Sequence, residues 1–148
     1  MHRVVQCIVI VCMCYIVAVL GCGGSTIVQC DNIGAVPADY RWLVPDDAQR
    51  IVIYDAGIAP TISMRCTCTP ESFRVWALQV KMEIKTVQPG QTKRVEIRHP
   101  DATGTSENKG VYTVGDQDSV AMGPLQGGIL SAVYIRESEE LFVYGSCR

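Results

Sequence analysis

From Val4 to Leu20, 16 of 17 positions are apolar, Gln6 being the exception, and Arg3 is the one positive charge ahead of them. Small residues follow at once, in Gly21-Cys22-Gly23-Gly24-Ser25. A basic start, an apolar stretch and a small-residue boundary predict a secretory signal over residues 1–21. The alternative is a retained anchor, but a membrane span needs about 20 apolar residues and no cationic cluster follows this shorter run. Residues 22–48 show little periodicity and contain Pro37 and Pro45-Asp46-Asp47, so they read as a tether and irregular structure, with a first strand near Thr26–Cys30.

Beyond residue 48 the pattern turns to alternation. Arg50–Tyr54 is a short β-branched run ended by Asp55-Ala56-Gly57. In Thr61–Cys68, Ile62, Met64, Cys66 and Cys68 face one way while Thr61, Ser63, Arg65 and Thr67 face the other, the period of a half-buried strand. Residues 71–85 admit two readings. Thr69-Pro70-Glu71 would cap a helix with proline at its first position. Trp76, Leu78, Val80, Met82 and Ile84 alternate strictly, which favours a long strand that forms a hairpin with Lys93–His99 across Val87-Gln88-Pro89-Gly90-Gln91. Residues 100–110 hold no large apolar side chain and read as an exposed loop. Short strands are expected at Val111–Val114 and Ser119–Met122, and a second hairpin joins Ile129–Ile135 to Leu141–Gly145 around residues 136–140. The expected fold is all-β: an antiparallel sandwich or barrel of about seven strands over residues 49–148, stapled by disulfides.

The boundary Val19-Leu20-Gly21-Cys22 resembles the lipobox of bacterial lipoproteins: an aliphatic residue, a tolerant position, a small residue, then cysteine. The resemblance implies that Cys22 becomes the lipidated mature N-terminus of a protein held in the bacterial cell envelope by its acyl chains. Because Gly23 is not Asp, it further implies the outer membrane. A soluble secreted protein, in which Cys22 is removed or paired, is the alternative; the chain contains no Asn-x-Ser/Thr acceptor. The lipobox says nothing about the domain that follows.

The chain has eight cysteines. Cys7, Cys12 and Cys14 fall in the apolar run, and lipidation of Cys22 leaves Cys30, Cys66, Cys68 and Cys147, an even set for an oxidising compartment. Cys66 and Cys68 point in parallel from one strand, which disfavours a bond between them. Two pairings remain: Cys30–Cys66 with Cys68–Cys147, or Cys30–Cys68 with Cys66–Cys147. Each bridge would stabilise the domain by about 4 kcal/mol in the chain-entropy account. The competing chemistry is a soft-metal site for copper, with Met64, Cys66 and Cys68 on one strand face and His99 as a fourth ligand.

His99 is the only histidine outside the targeting segment, and no nucleophile elbow, phosphate loop or zinc-protease motif is present, so a non-enzymatic protein without a cofactor is expected. Net charge is −2, which gives no commitment to nucleic acid. The charge is uneven, however. Residues 65–98 carry seven Lys/Arg against three Asp/Glu, and residues 101–148 carry three against seven. A basic face around Lys81, Lys85, Lys93, Arg94 and Arg98 is therefore a candidate surface for an acidic partner. The combined expectation is a lipid-anchored envelope protein that binds another protein or serves as an assembly subunit, with the periplasmic copper binder as the alternative.

Overall fold

The computed structural model describes residues 24–57, 61–103 and 107–147, the last by its backbone alone. The expected signal segment, the lipobox and Cys22 lie outside the described residues. Nine strands and one α-helix follow in the order β1 (Thr26–Asn32), β2 (Gln49–Asp55), β3 (Ile62–Thr67), α1 (Pro70–Gln79), β4 (Glu83–Thr86), β5 (Thr92–Pro100), β6 (Glu107–Gly115), β7 (Ser119–Leu125), β8 (Gly128–Ile135) and β9 (Glu140–Cys147). Seven strands form one antiparallel sheet in the order β1-β2-β3-β9-β8-β7-β4, and β5 pairs with β6 in a separate ribbon. The chain is thus mostly antiparallel β, and its layers are unequal. Residues 26–48 join this same sheet and core through β1, Leu43 and Val44. Among the described residues no helix is long and apolar enough to cross a membrane.

Both faces of the sheet are covered, and alternation along the central strands sorts side chains between them. Met64, Leu141, Val143, Ala132 and Tyr134 point into a core closed by Phe73 and Trp76 of α1 and by Leu43 and Val36 of the segment after β1. Their strand neighbours Val133 and Phe142 point the other way, onto Ile97 of β5 and Val114 of β6. Phe73 stacks on Tyr134 with ring centroids 4.8 Å apart, and the Tyr134 hydroxyl donates to the Cys68 carbonyl at 2.9 Å. Fully burying each such aromatic or aliphatic side chain stabilises by about 1.5–3 kcal/mol.

The strand expected over 71–85 is a helix followed by β4. Its buried side chains, Phe73, Trp76 and Ala77 with Val80 packed beside them, recur at helical spacing, while Leu78 of the alternating set is 70% exposed. Start and stop are built locally. Thr69 accepts a hydrogen bond from the Ser72 N–H, Pro70 occupies the first turn, and Lys81 takes φ 60° just past the end so that the Met82 N–H reaches the Ala77 carbonyl. A hairpin between residues 76–85 and 93–99 therefore does not form; β4 pairs with β7 and β5 with β6. The loop expected over 100–110 is shortened from both ends, because Glu107, Asn108 and Lys109 pair with Pro100, His99 and Arg98.

The expected disulfide staples are also absent among the described residues. Cys66 and Cys68 are free thiols, so neither pairing scheme is formed. Register explains why. Cys30 lies opposite Ile51 on β2, two strands from β3, or about 10 Å, and a bridge tolerates about 7 Å between Cα atoms. Cys66 lies opposite Leu141, and Cys147 is six residues further along β9, about 20 Å away. Cys66 and Cys68 do share a face, in the core beneath α1. A hydrogen bond with Cys68, together with burial, pushes the Cys66 thiol well above its ordinary pKa, so it stays protonated and unreactive.

The helix cap carries a pH dependence. The Asp47 carboxylate accepts from the Thr69 N–H at 3.2 Å and the Thr69 hydroxyl at 2.6 Å. Burial raises the Asp47 pKa, but hydrogen bonds from Thr69 and Ser72 outweigh it and hold the carboxyl below its ordinary value. A carboxylate whose pKa is depressed by folding contributes stability that is complete above its unfolded pKa and is lost as pH falls through the folded value. Asp47→Asn is therefore expected to be less stable than the native chain at neutral pH and to lose less on acidification below about pH 4. Urea midpoints measured across that range check this; parallel acid profiles for the two proteins would contradict it.

Candidate functional site

The ribbon does not cover its face of the sheet evenly. Strand β5 crosses above β2, β3, β9 and β8, and its packing thins toward β7 and β4 at one side. Directly opposed residues in an antiparallel sheet point to the same face. The row Lys85, Val120, Val133 and Phe142 and the row Glu83, Met122, Ser131 and Tyr144 thus both look toward the ribbon. Between these rows and the overhanging β5 segment Lys93–Ile97 lies an open cleft of about 460 Å³. Its floor is Val120, Met122, Ser131 and Val133, and its overhang is Val95 and Ile97. Met122 stands 57% exposed in it, an unusual position for a methionine in a strand.

The rim is charged. Lys85 pairs with Glu83 at 3.5 Å, and Glu96 pairs with Lys109 at 2.8 Å, so those charges are largely offset. Lys93 and Arg94 line the same cleft and enter no ion pair among the described residues. Lys85 and Lys93 of the expected basic face thus come to the cleft side, and Arg94 borders it from the outer face of β5. Arg98 lies on the outer side of the ribbon, 3.6 Å from Glu107, and Lys81 sits beyond the end of α1. The floor residues Val120, Met122 and Ser131 escape sequence reasoning, since only the β4–β7 pairing brings them beside Lys85.

What fixes the overhang is a packed polar and aromatic cluster behind it. His99 Nδ1 donates to the Pro100 carbonyl at 2.8 Å, and its Nε2 accepts from the Tyr112 hydroxyl at 2.7 Å. Burial raises the Tyr112 phenol above its ordinary pKa, with the Arg65 cation pulling the other way, so it remains the donor. Both rings pack on Phe142, each with centroids 4.7 Å away. On β3, Arg65 lies 5.5 Å from the same ring and reaches Glu140 at 2.6 Å. Gly110 makes room: a Cβ there would stand 2.5 Å from Tyr112 Cε2 and 2.7 Å from His99 Nε2.

His99 is thereby spent on structure. It lies on the opposite face of the sheet from Met64, Cys66 and Cys68, so the four residues weighed as copper ligands are not brought together. No group of three His, Cys, Asp or Glu that would hold a metal occurs among the described residues. The Cys30 sulfur lies 3.3 Å from the Ala35 carbonyl oxygen, and the Cys147 side chain is outside the description. Comparison with protein-family models, with curated proteins and with solved structures returned no match.

Gly110→Ala is expected to destabilise the domain by about 1–3 kcal/mol through overpacking against His99 and Tyr112. Tyr112→Phe is expected to cost about 1 kcal/mol, leaving His99 Nε2 without its donor. Urea unfolding checks both; unchanged midpoints would show that the cluster does not hold the ribbon.

Proposed function

We propose that this chain is a non-enzymatic binding protein of the bacterial cell envelope, lipid-anchored through Cys22, whose cleft receives an extended acidic segment of a partner protein. The binding platform is a lopsided β-sandwich, the seven-stranded sheet opposed by the two-stranded ribbon. One observation carries the binding role: an apolar floor bordered by Lys93 and Arg94, two cations without carboxylate partners among the described residues. Small, preformed clefts with apolar floors and few placed charges suit ligands that bring the opposite charge. Strand β4, at the open side, is an edge of the sheet, so an extended segment laid along it pairs its backbone while alternate side chains enter the cleft.

The location rests on the sequence alone, on the apolar run 4–20 and the lipobox-like Val19-Leu20-Gly21-Cys22, with the absence of Asp at position 23 favouring the outer membrane. Free Cys66 and Cys68 withdraw the support that a fully paired cysteine set lent to export. Their burial is compatible with an oxidising compartment, since thiols enclosed in an apolar core neither exchange nor oxidise readily.

A fluorescent peptide alternating Glu and Val is expected to bind the domain, and a Lys/Val peptide of equal length is not. The double change Lys93→Glu with Arg94→Glu should weaken binding by roughly tenfold or more, about 1.4 kcal/mol, and added salt should weaken it in the native protein. Fluorescence anisotropy reads both effects. Equal binding of the two peptides, or acidic-peptide affinity indifferent to the two substitutions, would contradict the proposal.

A further inference from the structure

One end of the sheet gathers features that the cleft does not use. Reading pairings across the strands, Thr26 lies opposite Asp55, Asp55 opposite Ile62, Ile62 opposite Gly145, Gly145 opposite Leu130 and Leu130 opposite Gly123. A Cβ on Gly123 would stand 2.9 Å from the Lys81 carbonyl oxygen. The entry of the chain into β1 and the exit from α1 therefore sit at the same end of the sheet. The 3-10 helix Ala38–Leu43 is held there too, by the Tyr40 hydroxyl donating to Asp55 at 2.9 Å. Burial and this carboxylate push the Tyr40 phenol up to about 12, so it stays a donor across the physiological range.

Two large apolar side chains are exposed here. Trp42 is 43% exposed and Leu78 is 70% exposed. Trp42, Val80, Pro124 and Leu125 line a shallow depression of about 410 Å³ between the 3-10 helix, the end of α1 and the β7–β8 turn. Gln79, Lys81 and Gln126 add polar groups to its rim.

We propose that this end, with Trp42 and Leu78 foremost, is a membrane-resting face that seats the domain on the leaflet to which its N-terminus is tied. The inference rests on the lipid-anchor reading of Cys22. Four residues carry the chain from Cys22 to Thr26, a reach of about 14 Å at most, so an anchored domain must turn this end toward the headgroups. Tryptophan and leucine suit that boundary, the indole taking the headgroup level and the aliphatic chain the acyl region. Because Trp42 and Leu78 would make the contact, the seat is apolar in origin and only weakly sensitive to salt. The cleft beside β4 then opens along the membrane surface, where a partner's segment arrives laterally.

The test uses the full, membrane-extracted chain in phosphatidylethanolamine–phosphatidylglycerol vesicles with bromine-labelled acyl chains, which quench tryptophan on contact. The chain has two tryptophans. Trp76 is 2% exposed in the core and serves as the shielded reference. Flotation with the vesicles reads the anchor; quenching reads the seat. The native chain is expected to float and to lose roughly half its emission, with little effect of salt. Trp42→Phe should float without quenching, and Leu78→Glu should float with quenching reduced at least about twofold. Flotation without quenching would overturn the seat and leave the anchor standing. Loss of both would overturn the two together, and quenching that persists in Trp42→Phe would overturn the seat by assigning contact to another side chain.

Discussion

Consecutive residues of β9 serve different cores: Leu141 and Val143 point beneath α1, and Phe142 between them points beneath the ribbon. The rest of the structure depends on this double burial. A sheet with one apolar face needs one cover, but β8 and β9 are apolar on both, so helix and ribbon must both dock for the strands to lose their contact with water. The covers are unequal in kind. The helical side is almost wholly apolar, closed by Phe73 and Trp76. The ribbon side is bridged by the His99–Tyr112–Phe142–Arg65–Glu140 chain of contacts, which trades some apolar area for directional hydrogen bonds that fix where β5 lies. No covalent staple shares this task among the described residues, so stability falls on packing.

The proposed binding site is a consequence of that arrangement. A two-stranded ribbon is too narrow for a seven-stranded sheet, and its polar cluster pins it over the centre, so its packing thins toward β7 and β4 at one side. The exposed Met122, and Lys93 and Arg94 without ion pairs among the described residues, are what remains where cover thins. At the end of the sheet, the short distance from Cys22 to β1 fixes which surface an anchored domain turns to the bilayer, and that surface carries Trp42 and Leu78. The two proposed surfaces do not compete, since the cleft opens from the ribbon side.

Much of this fold was legible as alternation. The one-sided set Ile62, Met64, Cys66 and Cys68 is buried in the core, and the final hairpin lies where its two apolar runs and charged turn put it. Residues 71–85 were misleading because two periods coexist there. Phe73, Trp76 and Ala77 follow a helical spacing, Trp76 to Ile84 follow period two, and the cap built by Asp47, Thr69 and Ser72 decides between them. The β5–β6 pairing was not legible at Glu107, Asn108 and Lys109, which join the ribbon by backbone bonding without an apolar pattern. Cysteine parity misled for a different reason: counting thiols says nothing of the strands that separate Cys30 from Cys66, or of the length of β9 between Leu141 and Cys147. For the site, the basic cluster pointed to Lys85, Lys93 and Arg94. Its apolar floor depends on a strand pairing that no local pattern announces.

In the proposed state an acyl-anchored domain is held by two packed faces rather than by disulfides. Intact mass of the membrane-extracted protein, after alkylation in denaturant without reductant, tests it most directly. The expected product is a chain that begins at Cys22, carries acyl groups, and is alkylated at Cys66 and Cys68 although no reductant was added. An unlipidated chain, or Cys66 and Cys68 that accept the alkylating agent only after reduction, would contradict it.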